Sequence, residues 1–175
     1  MSALPSFMFS AFPSTADGRF VGWAAFRDAL AAGRRVTERP DEAPVAVPPA
    51  QHVEFSRVGI WRLLASNNRE LARSWAAYPS FESAHAHVER LQRDVGRLVI
   101  TGVKGDSPSQ YGWLATNNGQ PVITSGRWFG ASSTALHSAV TSLAAFESAV
   151  VPDEVTRGRT EGRRRPGSPE PEPQW

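Results

Sequence analysis

Glu82-Ser-Ala-His85, with His87 and Glu89 close behind, is where metal-ligating side chains recur at helical spacing in this chain. A Glu-x-x-His on a helix sets a carboxylate beside an imidazole, and helical di-metal sites use two such motifs with two further carboxylates. The places 51 residues further on hold Ser133, Leu136 and Val140, which cannot complete such a site. A solvated polar helix face is therefore expected. His137 stands alone, and no serine or threonine lies in a recognisable nucleophile motif with a histidine and a carboxylate. The absence of cysteine excludes a disulfide framework, thiolate zinc and a cysteine nucleophile. Gly102-Val-Lys-Gly105 lacks the glycine number and the following helix of a phosphate loop, so Lys104 reads as a turn residue. No catalytic constellation, metal site or cofactor is expected.

Charge adds little to this picture once it is located. Of 19 Lys and Arg and 17 Asp and Glu in 175 residues, 14 of each sign lie in residues 1–155, so the body is neutral. The net charge of +2 comes from residues 156–175, where Arg163, Arg164 and Arg165 form a candidate anionic-surface tether opposed by Glu170 and Glu172. No apolar run approaches the roughly 20 residues of a membrane span. The apolar stretch over residues 1–12 has no basic residue ahead of it and is broken by Pro5 and Pro13, so no secretory signal is expected and a cytoplasmic protein is.

The elements that would position these residues are marked by proline. Eight of the 14 prolines fall in residues 37–51 and in the tail, where extended, solvated chain is expected. This divides the chain into an N-terminal extension (1–36), a Pro-rich linker (37–51), a body (52–155) and a disordered tail (156–175). In the extension, Phe20, Trp23, Phe26 and Leu30 recur at helical spacing and predict one amphipathic helix over Arg19 to Arg35 that must dock on something.

The body repeats. Trp61-Arg-Leu-Leu-Ala-Ser-Asn-Asn68 matches Tyr111-Gly-Trp-Leu-Ala-Thr-Asn-Asn118 at an offset of 50, and after Gly119 the match resumes at 51: Ser74 with Ser125, Tyr78 with Phe129, Ala84 with Ala135. Each copy reads as a hairpin, a helix and a further strand. The hairpins flank Asn67-Asn68-Arg69 and Asn117-Asn118-Gly119. The helices follow Phe81, Ala84, Val88, Leu91 and Val95, with Ser80 as N-cap, and Leu136, Ala139, Val140, Leu143 and Phe146 after Ser132. Leu98 to Val103 and Ala149 to Val155 read as closing strands, and Val53 to Val58 as an opening one. The class is α+β, with helices on one face of an antiparallel sheet.

The order of elements, the Trp-x-Leu-x-Ala-x-Asn-Asn run and Tyr78-x-Ser80 resemble the YegP-like family of tandem-repeat domains of unknown function, over residues 53–155. The resemblance implies two β3-α-β units (copies about 53–103 and 104–155) that share one sheet and exchange their C-terminal strands. Leu98 to Val103 would then pair with the second unit and Ala149 to Val155 with the first. Two departures are noted, Asn68 where a turn glycine is usual and one more residue in the second hairpin. No activity or residue roles come with the family.

If the first hairpin turns on Asn68-Arg69, alternation puts Trp61, Leu63, Ala72 and Ser74 toward the helices. An open face is then left with Arg62, Leu64, Arg73 and Trp75, joined by Leu114, Ile123 and Arg127. Such a face could be covered by a protein partner, by a second copy, or by the N-terminal helix through Phe20, Trp23 and Phe26. It could also stack unpaired bases. With a neutral body the expectation is a non-enzymatic protein-interaction module, able to self-associate. The alternative is an accessory protein binding single-stranded nucleic acid through Trp75 and the arginine tail.

Overall fold

A computed structural model describes residues 4–36 and 58–153. The Pro-rich linker, the tail with its three arginines and most of Val53 to Val58 lie outside them. The chain is α+β, with three α-helices and seven strands in one antiparallel sheet of order β1-β3-β4-β7-β6-β5-β2. The strands are β1 (Ser6–Phe12), β2 (Arg34–Val36), β3 (Val58–Leu64), β4 (Glu70–Ser74), β5 (Val99–Lys104), β6 (Tyr111–Asn117) and β7 (Gln120–Ser125). The helices are α1 (Gly18–Ala32), α2 (Phe81–Arg93) and α3 (Ser132–Ser148).

Local chemistry accounts for most boundaries. Ser80 caps α2 by accepting from the Ser83 N–H, and Ser83 answers through the Ser80 N–H, a reciprocal pair that satisfies two otherwise unpaired donors. Asp17 caps α1 through the Arg19 N–H. The helix predicted over Arg19 to Arg35 stops at Ala32, because Gly33 is extended and Arg34–Val36 pair with β5 instead. A Cβ on Gly33 would lie 2.4 Å from Val103 Cγ1 and 2.9 Å from the Lys104 carbonyl oxygen, so glycine lets the chain turn tightly from helix to sheet edge.

The two hairpins turn differently. Asn118 and Gly119 both have positive φ (49° and 78°), the geometry of a two-residue primed turn between Asn117 and Gln120. In the first hairpin only Asn68 is left-handed (φ 62°), and Ala65 N–H donates to Arg69 O while Asn68 N–H donates to Ala65 O. That loop is longer, so the turn is not centred on Asn68-Arg69. Each ladder also shifts register, at Leu63/Leu64 and at Ala115/Thr116, which leaves Leu71 and Val122 as extra residues packed against the helix-side core. The consequence for the expected faces is direct. Ile123, expected on the open face, pairs with Ser74 and Ala115 and is fully buried in that core.

The hairpin register also revises the internal alignment. Trp61 N–H donates to Ser74 Oγ and Trp113 N–H to Ser125 Oγ; Gly59 bridges Tyr78 and Tyr111 bridges Phe129. Trp61 therefore answers to Trp113, not to Tyr111. The second hairpin is shorter than the first, not longer, since matching the Asn-Asn turns had hidden a two-residue slip in the leading strand.

The largest departure is the N-terminal segment. Residues 6–12 form β1, which pairs with β3 from Ser6↔Leu64 to Phe12↔Val58. Phe7 and Phe9 alternate into the core beside Trp61, with Phe7 edge-on to Trp61 and Phe146. This strand holds the place expected for Ala149 to Val155. Within the described residues that segment makes only one parallel bridge, Ser6↔Val150. β5 pairs with β6 along its length.

The helices do not share one face. α2 and α3 pack over Trp61, Leu63, Trp113, Ala115 and Ile123, while α1 lies on the opposite face over two smaller clusters. Val140, expected to face the core, is 61% exposed; α3 buries Ala139 and Phe146 as expected, together with Ala135 and Ser142. Gln92 of α2 donates to the Phe146 and Ala149 carbonyls and ties α2 to the end of α3.

Candidate functional site

The expected open face is a packed layer. Phe20 and Trp23 of α1 bury against Phe12, Val58 and Ile60, and Leu30 against Trp75, Val103 and Leu114. Trp23 Nε1–H donates to the Ser74 carbonyl at 3.1 Å, and Phe26 meets Trp128 at 5.3 Å between ring centroids. Leu64, Trp75 and Leu114 are buried. Of the three occupants considered for this face, the chain's own helix is the one in place. Arg27 is buried on the sheet-facing side of α1, 4.7 Å from the Trp23 ring, with its guanidinium on Asp28 at 2.9 Å.

The arginines of that face are engaged. Arg73 Nε donates to Glu70 Oε1 at 2.5 Å and its Nη2 to the Gly126 carbonyl at 2.9 Å, with the guanidinium 5.4 Å from the Phe26 ring. Arg62 reaches Glu70 at 3.7 Å and Met8 Sδ at 3.0 Å. Glu70 thus gathers two of the three arginines, and the third, Arg127, lies over Phe129 at 4.9 Å. Base stacking on Trp75 would require α1 to leave, and Arg163, Arg164 and Arg165 are outside the described residues.

On the other face, the Glu82/His85/His87/Glu89 group is drawn into packing. His85 lies between Phe9 and Phe81, with Nδ1 3.7 Å from Glu89 Oε2. His87 accepts through Nδ1 from the Tyr78 hydroxyl, which itself accepts from Trp61 Nε1–H at 3.2 Å. Burial, followed by the positive charge of Arg90, lowers His87 to about 4, so its imidazole is neutral near pH 7 and free to accept. Burial likewise raises the Tyr78 phenol above its ordinary value of 10.0, which keeps the hydroxyl protonated. The polar helix face expected here is half structural, a hydrogen-bonded rod from core indole to helix surface. Among the described residues no three His, Asp or Glu converge as metal ligands do. Lys104 ends β5 rather than a turn, and its Nζ donates to the Tyr111 hydroxyl at 3.1 Å.

A feature the motifs did not point to is a cleft of about 300 Å³ between the start of β4 and α3, lined among others by Arg69, Glu70, Arg127, Phe129, His137 and Ser138. It occupies the part of the second half that corresponds to the Tyr78–His87 contact in the first. Phe129 stands at Tyr78's bridge position, and Ser138 follows it by the same nine residues as His87 follows Tyr78. The sequence signal was there in the Tyr78/Phe129 match, had the lost hydroxyl been followed to its partners.

Compared with protein-family models, with curated proteins and with solved structures, the chain matches none. No helix among the described residues is long and apolar enough to cross a membrane.

Proposed function

We propose that this chain is a non-enzymatic protein-interaction domain that self-associates through an edge of its sheet, β1, and not through a sheet face. The observation that carries this reading is the contrast between the two edges. β2, at one end, is three residues long and carries Arg34 and Arg35, a short charged edge of the kind that resists pairing. β1, at the other, is Ser-Phe-Met-Phe-Ser-Ala-Phe, seven residues with neither charge nor proline. Its register with β3 and the Phe7 N–H bond to Val150 O put the N–H groups of Phe7, Phe9 and Ala11 on the outer side, and Val150 takes the first. Among the described residues Phe9 and Ala11 are left to offer an edge ladder. Leu4 (62% exposed) and Val150 (49%) flank it with apolar surface. An uncharged strand meeting its own copy antiparallel across a two-fold axis places no like charges opposite one another.

The same reading treats the two hairpin-helix halves as copies of one β3-α-β unit, divergent members of the YegP-like type. The matched Trp61/Ser74 and Trp113/Ser125 bonds support it. β5 crossing to β6 fits an exchange of closing strands, with β1 standing in on the other side.

Light scattering of the full chain across a concentration series tests the edge. A dimer is expected. Ala11→Pro removes an outward donor without touching the β3 ladder, and Ala11→Lys sets like charges across the axis at an exposed position; either should give a folded monomer. A monomer for the parent chain at every concentration, or a dimer indifferent to Ala11→Lys, overturns the proposal.

A further inference from the structure

The cleft beside α3 has an origin that also points to an occupant. In the first half, the Tyr78 hydroxyl and the His87 imidazole fill the space between the core indole and the helix surface. In the second, Phe129 lacks the hydroxyl and Ser138 lacks the ring, and the Trp113 Nε1–H is buried without a protein partner among the described residues. What the first half fills with side chains, the second leaves as a cleft of about 300 Å³.

The lining is cationic and hydroxylic. Arg69 and Arg127 have no carboxylate within 4.0 Å among the described residues, whereas Glu70, the acidic group in the cleft, is already held by Arg73 at 2.5 Å and Arg62 at 3.7 Å. The acid is neutralised by arginines, leaving Arg69 and Arg127 as uncompensated charges. His137 and the hydroxyls of Thr134 and Ser138 line the helix side, and the Phe129 ring, under the Arg127 guanidinium at 4.9 Å, gives an apolar wall. Two guanidiniums with short hydroxyl donors suit a tetrahedral or planar oxyanion, and the aromatic wall suits a small attached body.

We propose that this cleft is a binding site for a small oxyanion-bearing molecule, an organic phosphate or carboxylate, held by Arg69 and Arg127 with hydroxyl contacts from Thr134 and Ser138. The site is independent of the β1 edge.

The test is a heteronuclear NMR titration of the full chain with inorganic phosphate and, separately, citrate, against chloride at matched ionic strength. Saturable shifts are expected at Arg69, Arg127, Thr134 and His137 with phosphate or citrate and not with chloride; which anion binds more tightly separates a phosphate from a carboxylate ligand. Arg69→Gln and Arg127→Gln should each weaken binding roughly tenfold, the loss of one charge-assisted contact. Phe129→Tyr with Ser138→His, which rebuilds the packing of the first half, should abolish the shifts while the fold persists. Non-saturating shifts, shifts equalled by chloride, or binding unchanged in both the arginine and the refilled variants overturns the proposal.

Discussion

Trp61 and Trp113 occupy the same position in the two halves of one sheet, both with their indoles fully buried, yet they differ in where the indole N–H goes. Trp61 donates to Tyr78, which donates to His87 on α2. Trp113 has Phe129 in Tyr78's place and no partner among the described residues. Burying an unpaired N–H costs more than a hydrogen bond gains, because the group gives up water and receives nothing. The first half therefore puts its polar atoms to structural use. The second tolerates an unsatisfied donor, and its cleft holds two arginines with no carboxylate partner among the described residues, the pattern expected where stability has been yielded to a site.

The comparison breaks most visibly at Tyr78. Tyr78→Phe would make the first half resemble the second, orphaning the Trp61 N–H and leaving His87 Nδ1 without its donor. Urea unfolding should show a loss of about 1–3 kcal/mol. A loss no greater than that of Tyr111→Phe, a half-buried control whose hydroxyl accepts only from Lys104, would mean that the Trp61–Tyr78–His87 rod contributes nothing.

The pH dependence of stability should carry the same asymmetry at a smaller size. His87 titrates near its ordinary value of 6.5 when unfolded and near 4 when folded, so between those limits the unfolded chain binds more protons. Stability is then full above about pH 6.5, falls as the pH drops toward 4, and levels off below. After allowance for the partial exposure of the ring, the fall is roughly 1–2 kcal/mol. The raised phenol of Tyr78 acts on the other flank: the unfolded chain ionises first, so stability declines as the pH rises past about 10. Denaturant midpoints from pH 4 to 7 for the parent and His87→Gln check the acid limb, which the variant should flatten. Ser138 has nothing to titrate, so the second half contributes no counterpart.

How much of this was readable in the chain depended on whether the signal was local. Ser80 before α2, Asn118-Gly119 between β6 and β7, and the Phe20/Trp23/Leu30 spacing are local, and the structure follows them. The faces of the second hairpin were not, because one extra residue in its ladder reverses the side chains beyond it, as Ile123 records, while Trp61, Leu63 and Ala72 of the first lie toward α2 and α3 as alternation has them. β1 was obscured by composition. An apolar run near a terminus invites a targeting interpretation, and its pairing with β3 joins residues some 50 apart in sequence, beyond any local periodicity. The cleft was the hardest to see, since its lining residues, Phe129 and Ser138 among them, form no motif. The face expected to bind a partner was traced correctly at Trp75 and Leu114, and α1, one of the candidates to cover it, does so.

The finest version of the comparison runs in the restoring direction. Phe129→Tyr gives the second half the hydroxyl that the first has, within reach of the Trp113 N–H if the two rings sit as Trp61 and Tyr78 do. One buried donor would be satisfied, a gain of about 0.5–1.5 kcal/mol. The new hydroxyl would still need an acceptor for its own proton, and Ser138 is shorter than His87, so the gain should fall toward the lower end. Adding Ser138→His should recover the remainder, making the pair worth more together than the sum of the single changes, as coupled neighbours are. Urea unfolding of the two single variants and the double variant reads that coupling directly. Additive single effects would mean that the halves share a backbone register but not the geometry that makes a donor chain.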